Sequence, residues 1–226
     1  MSNFMALVNL DEQTDQPLSE KVALRIREML IQGRFTPGEK LSEHQVAGQF
    51  GISRNTLREV FRLLTSQGLL THIPNRGVFV VSPDESAVMD IYRVRWVIQK
   101  GAIQAASRGH PALARMTALT QQADAARSSN DWQQVGTVNM EFHRAMVSLC
   151  DSPRLSLCFD LVLAELRLVF GLLEYTGHLH EPYIELNTSL LQLIEAEKAA
   201  EAIDFLEAYL LKSERSVLAA MQRKKG

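Results

Sequence analysis

Apolar residues recur at helical spacing from Leu18 onward, with Val22, Ile26, Met29 and Leu30 on one face. The pattern predicts a helix capped by Ser19 that ends near Gly33, then a turn across residues 34–40 centred on Pro37-Gly38. Residues 41–68, LSEHQVAGQFGISRNTLREVFRLLTSQG, read as two short helices joined by a tight turn. Ser42 caps the first, with Gln45 three residues on at capping-box spacing. Val46, Ala47 and Phe50 give it an apolar face, Gly51 breaks it, and Ile52 packs in the turn. Ser53 caps the second helix. Leu57, Val60, Phe61 and Leu64 line its inner side, and Gly68 ends it as a left-handed C-cap residue does. Two strand-like runs, 69–73 and 78–81, flank Pro74-Asn75-Arg76-Gly77 and predict a β-hairpin.

Beyond Ser82 the period is helical throughout. Ser82-Pro83-Asp84-Glu85 reads as cap, first helical residue and first-turn carboxylate. Helices are expected at about 84–107, 111–128, 131–150, 153–176, 182–197 and 199–222. The breaks fall at Gly109-His110-Pro111, Ser128-Ser129-Asn130, Asp151-Ser152-Pro153 and the loop from Thr176 to Pro182. The expected fold is mainly α. A flexible arm (1–16) leads into a winged helix-turn-helix of three helices and a hairpin (17–82). An all-α antiparallel bundle of about six helices follows (83–226).

Composition adds bounds. With 46% hydrophobic and 22% charged residues over 226 positions, the chain can bury real cores. No apolar run approaches the ~20 residues of a membrane helix. The start, MSNFMALVNLDEQTDQP, lacks the basic and apolar regions of a secretory signal, so a cytoplasmic protein is expected. Cys150 and Cys158 are too few for a disulfide framework and are expected to be reduced, buried thiols. The net charge of −2 does not mark a nucleic-acid binder, but its distribution says more. Residues 17–82 carry nine Lys/Arg against five Asp/Glu, and residues 83–226 carry fifteen against eighteen. Basic charge gathers in the helix-turn-helix segment, as a DNA-binding module requires.

The candidate chemistry sits at the head of the second helix of that motif. Behind Ser53 come Arg54, Asn55, Thr56 and Arg58. A recognition helix presents its N-terminal residues to base edges and phosphates in the major groove. Arginine matches the guanine edge bidentately, and Asn and Thr suit adenine edges, thymine methyls or phosphates. The plain alternative is a solvated first turn. In the hairpin, Gly77 lets the backbone approach a phosphate or enter a minor groove, and Arg76 neutralises charge there. Any hairpin tip also needs such a glycine.

These residues carry a resemblance. PGEKLSE, GISRNTLRE, the following GLL and NRGVFV resemble the winged-helix domain of GntR-type bacterial transcription regulators, over about the first third of the chain. DIYRVRWVIQKGAIQAA, NMEFHRAMV and the last two helices resemble, more loosely, the FCD domain of the FadR subfamily. The resemblance implies a homodimeric regulator, a repressor by preference, that binds a short palindromic DNA operator. Its bundle would bind a small effector, often an organic acid, and it would not be an enzyme. His44 stands where many relatives place a basic residue, and Arg54, Arg58, Arg76 and Gly77 match operator-contacting positions.

Many FCD relatives hold a divalent metal with one aspartate and three histidines. Here the matching positions are Asn139, His143, Asn187 and Tyr209, of which one keeps a metal ligand. No metal or other cofactor is therefore expected. Those four residues are expected to line a polar effector cavity, with Arg95 placed to meet an effector carboxylate bidentately. Arg144 and Arg167 are weaker candidates, and each is equally a surface or interface residue. Simple core roles stand beside these: a satisfied core histidine for His143, and packing for Tyr209. His178 and His180 are read as a loop pair without a third metal ligand nearby. Two other functions are weighed. One is a DNA-binding dimer whose bundle only dimerises and senses nothing. The other is an enzyme with His143 as base, which lacks a nucleophile, a phosphate loop or a second carboxylate at recognisable spacing.

Overall fold

The computed structural model describes residues 16–173 and 177–225. The N-terminal unit is built from α1 (Leu18–Ile31), β1 (Lys40–Leu41), α2 (Glu43–Phe50), α3 (Arg54–Ser66), β2 (Leu70–Ile73) and β3 (Gly77–Val80). Its core includes most of the positions the periodicity names: Val22, Ile26, Leu30, Val46, Ala47, Phe50, Leu57, Val60, Phe61 and Leu64 are buried, and Met29 is half-buried. Ser42 and Ser53 cap their helices, accepting from the backbone N–H of Gln45 (3.4 Å) and Thr56 (3.1 Å). Gly51 closes α2 in the left-handed region at φ 62°, which a β-carbon disfavours.

Two local expectations shift. The first helix has Pro17, not Ser19, at its cap position. The Pro17 carbonyl accepts the N–H groups of Glu20 and Lys21, which places Ser19 inside the first turn. The hairpin is part of a three-stranded sheet of order β1-β3-β2, in which Lys40 pairs with Phe79 and Leu41 with Val78. The wing turn has Pro74 second and Asn75 third, at φ 61°, and the Arg76 N–H closes onto the Ile73 carbonyl at 3.0 Å. Proline second with a positive φ third is the type II pattern.

The C-terminal unit is a bundle of α4 (Glu85–Ala105), α5 (Pro111–Ser128), α6 (Trp132–Val147), α7 (Pro153–Gly171), α8 (Gly177–Glu195) and α9 (Ala199–Lys225). Here too boundaries move for physical reasons. Asp84, not Ser82, caps α4, its carboxylate accepting from the Ala87 N–H at 2.8 Å, and Pro83 lies just outside the helix. The last turn before Asp151 tightens into a 3-10 helix, Ser148–Cys150, and Asp151 turns the chain at φ 48°. The segment read as a loop to Pro182 is already helical from Gly177, with Pro182 inside α8, where its ring forgoes one backbone hydrogen bond. His180 is therefore a buried helical residue whose ring lies 4.6 Å from that of Phe170. The side chain of His178 is outside the described set. The basic tail continues α9 through Lys225.

Both cysteines are free thiols, but their expected burial fails. Cys150 is half-buried and Cys158 exposed, because Cys158 shares the outward face of α7 with Leu155 and Leu157. Burial and the neighbouring Asp151 push the Cys150 thiol up, away from the reactive thiolate. Among the described residues, no helix is long and apolar enough to cross a membrane.

Helix α1 packs against α7, which joins the two units. Arg144 of α6 reaches this seam. It donates twice to Asp160 at 2.7 Å and to Glu28 of α1 at 2.8 Å. Burial works against its charge, but Asp160 and Glu28 outweigh that and hold it protonated. Arg167 of α7 is buried beside it, between Gly33 at the end of α1 and Gly136 of α6. A β-carbon on Gly33 would lie 2.6 Å from Nε of Arg167, and one on Gly136 2.3 Å from Nη1. Desolvation brings the Arg167 pKa down to about 10. The two weaker effector candidates are thus residues of the seam.

Candidate functional site

Two sites emerge, one on each unit. On the first, Arg54, Asn55 and Arg58 are exposed in the opening turns of α3, and His44 is exposed near the start of α2. Thr56 is half-buried and its hydroxyl sits 2.9 Å from that of Ser53, so both belong to the cap. Arg58 is not free. Its Nε lies 3.4 Å from both carboxylate oxygens of Glu43, and its Nη2 lies 3.4 Å from one of them. Behind it, Arg62, Thr65 and His72 join Arg58 and Glu43 around a groove of ≈ 580 Å³ between α3 and the wing. At the wing tip Gly77 adopts φ 108°, closed to most side chains, and Lys40 folds over it within 3.3 Å of where a β-carbon would stand. The Arg76 guanidinium lies 5.7 Å from the Phe79 ring centroid.

Glu43, Arg62 and His72 were not singled out by the sequence. Only the α3 periodicity, which puts residue 62 four beyond Arg58, could have signalled Arg62. With Arg58 as the expected DNA contact, Glu43 would compete with DNA for it. Glu43→Gln is expected to raise affinity for duplex DNA by roughly fivefold at most, the worth of an exposed ion pair. Fluorescence anisotropy at two salt concentrations measures this, and unchanged or weaker binding would show that Glu43 does not restrain Arg58.

In the bundle, three helices bring Asn139 (α6), His143 (α6), Asn187 (α8) and Tyr209 (α9) into one hydrogen-bonded cluster. The Asn187 amide donates to Asn139 Oδ1 at 2.8 Å, and the Tyr209 hydroxyl donates to Asn187 Oδ1 at 2.9 Å. Tyr209 Oη lies 2.9 Å from His143 Nε2. With the tyrosine proton committed to Asn187, His143 donates from Nε2, and Nδ1 is left as a buried acceptor without a partner. His143 is completely buried. Burial first, and the Arg95 charge second, hold its pKa well below the usual histidine range. Burial likewise raises Tyr209 well above the phenol range. The cluster is neutral at neutral pH.

Arg95 of α4 is 2% exposed, its guanidinium carbon 4.9 Å from the Tyr92 ring centroid. Its Nε has no partner, and among the described residues no carboxylate lies within ion-pair range of it. Gln99, four residues further along α4, is fully buried, and both its amide nitrogen and its amide oxygen lack partners. Sequence reading missed Gln99, although its spacing from Arg95 puts both on one helix face.

A divalent metal does not fit this donor set. It offers one imidazole, already engaged with Tyr209, two neutral amides and a phenol held protonated. No group of three His, Cys, Asp or Glu suited to a metal occurs among the described residues.

Comparison with known proteins agrees with both halves of this description. Residues 18–80 match the family model described as bacterial regulatory proteins, gntR family, and residues 90–212 match the FCD domain. A crystal structure from Rhodococcus sp. RHA1, described as a GntR transcriptional regulator, is 32% identical. The similarity covers 89% of this chain and 98% of that one, at a TM-score of 0.81. The Nta operon transcriptional regulator of Aminobacter aminovorans is 29% identical over 131 residues, 56% of this chain and 61% of that protein. The galactonate operon transcriptional repressor of Escherichia coli K12 is 28% identical over 82 residues, 36% of each chain. The matched stretches thus span less than two thirds of these two curated relatives. A winged helix-turn-helix joined to a six-helix FCD bundle, matched over both parts, makes this chain a member of the GntR family of bacterial transcription regulators, of the FCD-containing, FadR-like kind.

Proposed function

We propose that the protein is a cytoplasmic, homodimeric repressor whose binding to a short palindromic operator is modulated by a small carboxylate held in the bundle. Operator contact falls to Arg54, Asn55 and Arg58 with the Ser53–Thr56 cap, to His44, and to Arg76 and Gly77 of the wing. The bundle site is Arg95 with Asn139, His143, Asn187 and Tyr209, and it works without a resident metal. Repression as the sense of control takes support from the name of the galactonate operon repressor.

The observation that carries the effector reading is Arg95. A guanidinium this deeply buried, with no carboxylate among the described residues to balance it, is costly unless an anion arrives. A planar carboxylate meets its fork in two parallel hydrogen bonds. A ligand that prefers one arrangement of the two units shifts their population, and operator affinity follows. Arg95→Ala is expected to keep operator binding in gel shifts while losing every carboxylate-induced rise in melting temperature. Carboxylate stabilisation retained by the variant, or none in the wild type, would overturn the effector reading and leave a bundle that only dimerises.

A further inference from the structure

We propose that the effector is a monocarboxylate that also carries a hydroxyl group, and that Gln99 reads that hydroxyl. The inference rests on the assignment of Arg95 to the effector's carboxylate. It comes from the hydrogen-bonding atoms the folded bundle leaves unused.

Those atoms are of both kinds. Arg95 Nε and Gln99 Nε2 are donors, whereas Gln99 Oε1 and His143 Nδ1 are acceptors. All belong to side chains that are 2% exposed or less, so bulk water does not satisfy them. A carboxylate has no proton to give and answers only the donors. The acceptors call for a ligand O–H. A hydroxyl can accept from Nε2 or donate to Oε1, so it answers either end of the Gln99 amide, whereas a carboxylate answers only Nε2. On α4 the Cβ atoms of residues four apart stand roughly 5–6 Å from each other, so one short molecule spans Arg95 and Gln99.

The same inventory excludes two other classes of acid. A dicarboxylate would need a second cation facing the site. Tyr92, Gln99, Asn139, Asn187 and Tyr209 are neutral, His143 is held neutral, and Arg167 is committed to the seam with α1. An unsubstituted aliphatic acid would bury the Gln99 amide with nothing to bond, a penalty on the order of tenfold in affinity. Gln99 is thus a specificity-determining residue, and Arg95 the general acid-binding one.

Calorimetry on the full chain with two matched sets tests this: butyrate, the hydroxybutyrates and succinate, then hexanoate, gluconate and adipate. The wild type is expected to prefer the hydroxylated member of at least one set by on the order of tenfold over both of its partners. Gln99→Met, which keeps the side-chain length and removes the amide, is expected to abolish that preference while still binding the plain acid. Its melting curve verifies folding, and the wild-type ranking stands as a test without any variant. Equal wild-type affinity for plain and hydroxylated acids, or a Gln99→Met variant that keeps the preference, overturns the role of Gln99 and leaves the Arg95 reading intact. A wild type that binds none of these acids overturns both.

Discussion

Arg54→Ala and Arg58→Ala are each expected to weaken specific operator binding by about tenfold to a hundredfold, and the double variant to fall to the non-specific level. Both side chains project from the first turns of α3, whose inner face of Leu57, Val60, Phe61 and Leu64 is fixed in the core. The helix therefore cannot rotate to offer another residue in their place. On the proposed operator contacts, truncating either arginine would remove up to two hydrogen bonds to a base edge and leave that edge desolvated against the protein. Neither packs against the bundle, so melting temperatures should stay within about a degree or two of wild type, as surface substitutions do. Arg58→Ala is expected to have a smaller net effect than Arg54→Ala, because it also removes an ion pair with Glu43 that the proposed operator contact would have to break. Gel shifts against operator and scrambled duplex separate the outcomes. Wild-type discrimination by both single variants would remove α3 from base reading altogether.

The second large effect is expected at Gly136, and its contrast is Gly101. In Gly136→Ala the new methyl would stand 2.3 Å from Arg167 Nη1 and 2.9 Å from His180 Nε2. Gly33 also lies close against the guanidinium, at Nε and Nη2, which limits where it can retreat. Overpacking of this kind costs about 1–3 kcal/mol, here with disturbance of a buried charge in addition. For a chain of this size that lowers the melting temperature by roughly 2–4 °C per kcal/mol. Gly101, in the interior of α4, has nothing within 4 Å of its would-be β-carbon. Gly101→Ala should stabilise by up to about 1 kcal/mol through helix propensity alone. Differential scanning calorimetry on the pair decides the matter: equal melting temperatures would mean that Arg167 is not clamped between the two glycines.

What the sequence made legible was local. Caps at Ser42 and Ser53, the break at Gly51 and the inner stripe of α3 depend on neighbours within four residues, and each is found where the spacing places it. The strand Lys40–Leu41 was illegible because two residues carry no alternation, and its pairing with Val78 and Phe79 is made nearly forty residues away. The start of α8 at Gly177 was masked by a glycine and a proline that usually mark loops. In the bundle, Asn139, His143, Asn187 and Tyr209 lie on three helices, and only family resemblance pointed to them. Their hydrogen bonds needed the tertiary structure. Gln99 resembles any polar helical residue until its burial is seen.

Helix α6 serves two neighbours at once. Asn139 and His143 belong to the polar cluster, while Gly136 and Arg144 press on the seam with α1. Energy exchanged across such a shared lever obeys a closed cycle: the factor by which a bundle ligand changes operator affinity is also the factor by which operator changes ligand affinity. Under the proposed regulation, a dissociation constant for the acid measured on free protein is not the constant that applies on DNA. The two differ by the regulatory range itself, so a pair of titrations, with and without duplex, yields the strength of the switch with no reporter gene.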